Sequence, residues 1–143
     1  MQAQILTPAA VLVLWSLVML FWMGFTRLPA LKSMGGIGKA KPGGRGQDLE
    51  GVLAPEINWK SHNYSHLMEQ PTLFYATVAI LAIMGPGSLD VALAWAYVVI
   101  RIIHSVWQAT VNRLPVRFSL FVLSSACLIV LAIRALGATL GHG

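Results

Sequence analysis

The chain has 143 residues, of which 57% are hydrophobic and only 10% charged, and its mean hydropathy is +0.70. Soluble domains carry roughly 45–50% apolar and about 25% charged residues, so this composition excludes a soluble globular protein and points to one small integral membrane domain spanning 1–143. The formal net charge of +5 does not indicate nucleic acid, because most of the Lys and Arg lie between apolar stretches and lack interleaved aromatics that would stack on bases.

Four stretches reach the ~20 residues that a helix needs to cross a hydrocarbon core: 5–26, 63–84, 89–111 and 116–138. The expected fold is therefore all-α, an integral membrane four-helix bundle. The first stretch lacks a basic region ahead of it, since the first Lys or Arg is Arg27, and it is too long for a cleaved secretory signal. It reads as a retained anchor.

The connection 27–62 is rich in glycine and carries Lys32, Lys39, Lys41, Arg45 and Lys60. It is not a phosphate loop: Gly38-Lys39 is followed by Ala40, and Ser33 stands where the earlier glycine is required. The second span carries His66, Glu69 and Pro71. A carboxylate at that depth costs roughly 2.5–3.5 kcal/mol on insertion scales, so Glu69 should face protein or water and have a partner. Arg101, in the third span, is the expected partner. Pro71 removes a helical hydrogen bond to the carbonyl of Leu67 and predicts a kink beside Glu69.

The second connection, Gly85-Pro86-Gly87-Ser88, has no Lys or Arg, whereas the third, Asn112-Arg113-Leu114-Pro115, is basic. By the positive-inside rule the first and third connections are cytoplasmic, and both termini of this multi-pass protein of the cell membrane lie on the other side. Trp22, Trp59 and Tyr64 suit the cytoplasmic interfacial belt. Pro115 suits the first turn of the fourth helix, which puts Arg117 beside unsatisfied backbone N–H groups. A cation there opposes the helix dipole, so an anion between them would be favoured. Arg134, near the far end of the same span, is expected to snorkel to the interface. Cys127, the only cysteine, reads as a small buried hydrophobe. Ser119, Ser124 and Ser125 read as helix contacts.

His62, His66 and Glu69 stand at i, i+4 and i+7, and Arg101, His104 and Gln108 at i, i+3 and i+7, so each set shares one helix face. Neither polar stripe can face lipid comfortably, so the two should meet. One reading is a structural Glu69–Arg101 bridge; the sharper one is a polar groove with Arg113 and Arg117 at its mouth, suited to an anionic ligand with its own cationic end. The histidines with Glu69 could instead hold a divalent ion, a weaker reading than polar packing, and no metal is assigned.

Two blocks carry a resemblance to a known family: Glu69-Gln-Pro71-Thr-Leu-Phe74, and Arg101-Ile-Ile-His104-Ser-Val-Trp-Gln108 leading into Asn112-Arg113-Leu114-Pro115-Val-Arg117. With its length and four spans, the chain resembles the membrane-associated proteins in eicosanoid and glutathione metabolism (MAPEG). The resemblance implies a homotrimer in the lipid bilayer, with a cytoplasmic glutathione site between protomers and a lipophilic small molecule as the second substrate. It implies that Arg117 stabilises the glutathione thiolate and that Glu69 meets the glutamyl amine. Arg101 and His104 would support the site, and Arg27 would reach the ligand's carboxylates. Catalytic members place an asparagine where His66 stands and a tyrosine where Gln108 stands. The expectation is a membrane-bound glutathione-dependent transferase or peroxidase acting on lipophilic electrophiles; the alternative is a non-catalytic membrane protein of the same fold that binds a lipid or protein partner.

Overall fold

Heptad-like spacing of buried positions organises each long helix. In the computed structural model, which describes residues 2–33 and 55–142, the elements are α1 (Gln2–Ser33), α2 (Pro55–Leu67), α3 (Gln70–Met84), α4 (Ser88–Thr110) and α5 (Leu114–His142). On α1, Ile5, Pro8, Leu12 and Met19 are buried, with Trp15 and Trp22 partly so. These residues recur three and four apart, which places them in one seam along the helix. The glycine-rich run between α1 and α2, with Lys39, Lys41 and Arg45, lies outside the described residues.

α4 is the central element and packs against α1, α2 and α5. Its buried stripe, Asp90, Ala94, Tyr97, Arg101, His104 and Gln108, keeps the same spacing, with Ala94 and Tyr97 between Asp90 at one end and the polar Arg101, His104 and Gln108 towards the other. On α5 the facing stripe runs from Ser124 through Leu128 and Leu131 to Ala135. The opposite faces are apolar and open: Phe25, Ile83 and Leu140 are among the most exposed side chains. Exposed apolar surface of this extent marks a face that meets lipid, and four segments, Gln2–Pro29, Pro55–Met84, Ser88–Thr110 and Leu114–Gly141, are long and apolar enough to cross a membrane. The protein is a multi-pass membrane protein in contact with the lipid bilayer, and no strand occurs among the described residues.

The second span is two helices rather than one. α2 begins at Pro55, well before the expected 63, and ends at Leu67; α3 begins at Gln70. Hydropathy misses the early start because Glu56, Asn58 and Lys60 are polar, although Asn58 and Asn63 are buried. Pro71 accounts for the break. Across it the chain tightens into i→i+3 bonds, from the N–H of Met68 to the carbonyl of Ser65 (3.0 Å) and from Glu69 to His66 (3.2 Å). The kink expected beside Glu69 is present.

The short turns use local chemistry. Gly85, with φ +96°, ends α3 in the left-handed conformation that glycine adopts without strain, and its N–H donates to the carbonyl of Leu81 at 3.0 Å. The N–H of Gly87 donates to Asp90 Oδ2 (2.8 Å), so Asp90 caps the start of α4. Arg134 of α5 donates to the same carboxylate through Nε and, at 3.4 Å, through Nη2. Arg134, expected to snorkel towards the interface, is partly exposed and partners Asp90 of the adjacent α4, whose buried carboxylate would otherwise be costly.

Candidate functional site

At the bundle end where α4 finishes and α5 begins lies a cavity of about 770 Å³, within the roughly 300–1,000 Å³ typical of small-molecule sites. Its polar lining comes from Arg27 of α1, His62, Ser65 and His66 of α2, Glu69 of the break, His104 and Gln108 of α4, and Arg117 of α5. Met23, Tyr64, Leu114, Phe118 and Phe121 supply a largely apolar wall. Thus the two polar stripes meet, joined by an arginine from each outer helix.

Arg117 is aimed by the α4–α5 turn. Asn112 takes φ +54°, a conformation for which asparagine is among the better-suited residues, and its Oδ1 accepts from Arg117 Nη1 at 2.7 Å. The indole of Trp107 donates to the carbonyl of Arg113 (3.1 Å) and ties down the same turn. Arg113 itself is exposed and is not among the lining residues, because the turn points it away from the cavity. Arg27 donates through Nη2 to Asn58 Oδ1 at 3.4 Å, which links α1 to α2.

Glu69 does not find Arg101. Among the described residues its carboxylate has the His66 imidazole as partner, with Nδ1 at 3.5 Å from Oε2, and its side chain is 68% exposed. Arg101 is fully buried behind the lining, where Nη2 reaches the carbonyl of His66 at 3.5 Å. The physical reason is the helix break: the tightened turn rotates Glu69 out to the cavity rim, while Arg101, in the middle of α4's buried stripe, stays inside. The expected bridge is replaced by two separate links to one residue, His66. The imidazole of His66 packs on His104 (centroids 5.2 Å apart, 29° between planes) and on Phe121 (5.7 Å, 36°).

Among the described residues, several buried polar atoms at this end have no hydrogen-bond partner, including Arg101 Nε and Nη1, Asn63 Nδ2 and Gln108 Oε1. Each such group costs about 1–3 kcal/mol. Guanidinium forks suit carboxylates, and a carboxylate suits an amine. The set of Arg27 and Arg117 against Glu69 therefore suits a ligand with carboxylates and one ammonium group. Among the described residues no group of three or more His, Cys, Asp or Glu is arranged to hold a metal ion.

The apolar wall was missed by reasoning that followed only polar residues. Its signal was available, since Met23 lies one helical turn before Arg27, and Phe121 one turn after Arg117. Ser125 joins helices as expected, accepting from Gln70 Nε2 at 2.8 Å, while Gln70 Oε1 accepts from Tyr97 at 3.1 Å.

No curated protein and no solved structure matches the chain. The family model for the MAPEG family matches residues 5–137, nearly the whole length, and the chain belongs to that family.

Proposed function

We propose that the protein is a membrane-bound glutathione-dependent transferase or peroxidase acting on lipophilic electrophiles. The observation that carries this reading is the convergence of Arg27, Glu69 and Arg117 on one cavity with an apolar wall. The family includes glutathione transferases and peroxidases as well as non-catalytic proteins.

A free thiol has a pKa near 8.5, so only a small fraction is ionised at neutral pH, and an adjacent cation or helix N-terminus favours the thiolate. Arg117 combines both, lying in the first turns of α5 and held by Asn112. Arg27 serves the carboxylates, Glu69 the amine, and Phe118 with Phe121 the apolar co-substrate. Arg101, His104 and Gln108 support the floor. In this reading the cavity faces the cytoplasm, both termini lie on the far side of the cell membrane, and the active unit is a homotrimer.

The test is turnover by detergent-purified protein with glutathione and either an activated aryl halide or cumene hydroperoxide. Glutathione-dependent turnover with either supports the reading. Absence of turnover with both, together with no thermal shift from glutathione, overturns it in favour of a non-catalytic membrane protein that binds a lipid or protein partner.

A further inference from the structure

We infer that His66, oriented by Glu69, is the general base that takes the proton from the glutathione thiol, with Arg117 stabilising the charge left on sulfur. This rests on the function proposed above and assigns that site a proton acceptor. Glutathione is here a consumed substrate.

The geometry begins in the backbone. In the i→i+3 turn that precedes Pro71, side chains three residues apart eclipse, and this brings Glu69 Oε2 to 3.5 Å from His66 Nδ1. A carboxylate beside Nδ1 keeps the imidazole proton on that nitrogen, which leaves the lone pair on Nε2. The ring is further fixed by His104 and Phe121 packing against it, and the backbone by Arg101 on the His66 carbonyl. His66 lines the same cavity as Arg117. A base, an orienting carboxylate and a cation thus surround one space, the arrangement that activates a weak nucleophile.

The step balances with an aryl halide as co-reactant. His66 Nε2 accepts the S–H proton, and the electron pair left on sulfur forms the C–S bond. The halide leaves with the electron pair of the broken carbon–halogen bond, and the imidazolium proton passes to water. The charged and titratable groups facing His66 are Arg27 from α1, His62 and Glu69 beside it, Arg101 and His104 from α4, and Arg117 from α5.

The experiment uses the full chain in nanodiscs and compares wild type with His66→Gln, His66→Ala and Glu69→Gln. Aryl halide turnover is followed below and above the ordinary thiol pKa of about 8.5. His66→Gln should lose roughly a hundredfold in kcat/KM at neutral pH, with the gap closing at alkaline pH, where solvent ionises the thiol. Added imidazole should restore part of the His66→Ala activity, and Glu69→Gln should lose several-fold. Calorimetric titration with S-methyl glutathione, which has no thiol proton, should give wild type and His66→Gln affinities within about threefold. A His66→Gln profile parallel to wild type at every pH, or a loss without imidazole rescue, overturns the assignment of the base while leaving the glutathione function standing. Wild-type protein that turns over neither the aryl halide nor cumene hydroperoxide, and shows no thermal shift with glutathione, overturns both.

Discussion

Glu69 and His66 stand 3.5 Å apart at a break in the second membrane span, across the turn where the helix tightens. The proline that follows supplies the reason. In an unbroken helix the N–H of residue 71 would bond to the carbonyl of Leu67 and carry the regular turn through Glu69. Pro71 prevents that bond and leaves Glu69 at the cavity rim.

Pro71→Ala should therefore allow α2 and α3 to fuse. The unfolding midpoint should stay the same or rise, while glutathione-dependent turnover should fall several-fold as Glu69 shifts from its place at the cavity rim. Thermal unfolding and kcat/KM on the same preparation check this; turnover retained with a raised midpoint would show that the break does not serve the site.

Arg101 is a poor contributor to stability by its own contacts. It is fully buried and, among the described residues, has one hydrogen bond of 3.5 Å and two nitrogens without partners, and replacing a buried ionic group by an apolar one of similar volume is often neutral or stabilising. Arg101→Met should leave the midpoint unchanged or higher. It should lower turnover by roughly tenfold to a hundredfold, because His66 loses the anchor on its carbonyl. A strongly lowered midpoint would instead assign Arg101 to holding the fold.

At the other end of the bundle Asp90 is both a helix cap and an ion-pair partner. Asp90→Ala removes both roles at once and should lower the unfolding midpoint by about 3–6 °C. Turnover per folded molecule should remain unchanged, because the cavity lies at the opposite end of α4. Combining the change with Arg134→Ala should add little, which a double-mutant comparison of midpoints would show.

This pair also shows where sequence reasoning runs out. The spans were legible because lipid demands about 20 apolar residues whatever their neighbours, and the polar stripes on α2 and α4 were legible because helical spacing is fixed. Partner choice was not, since Asp90 and Arg134 lie 44 residues apart and meet only through the packing of α4 on α5. Similarly, the periodicity that placed Glu69 and Arg101 on facing helices took no account of how far a single tightened turn would swing a carboxylate outward. Arg117 and Arg113 are two turn-proximal arginines of like chemistry; the first lines the cavity and the second does not, a difference that arises in the folded turn at Asn112.

Asn112 offers a way to change Arg117 without touching it. Asn112→Gly keeps a residue at home at φ +54° but removes the 2.7 Å contact to the guanidinium. Stability should change by less than about 1 kcal/mol, while kcat/KM should fall roughly threefold to tenfold. Steady-state kinetics with varied glutathione check the size and direction of the change; unaltered kinetics would mean that Arg117 needs no such support.

The most direct measurement is a calorimetric titration of glutathione into nanodisc-held protein, with the ultraviolet band of the bound thiolate recorded alongside. Wild type should give saturable binding and a thiolate band at neutral pH, and Arg117→Ala should lose the band and about 10²–10³-fold in turnover. Wild-type protein that shows no saturable heat and no thiolate band at millimolar glutathione would contradict the function proposed for this cavity.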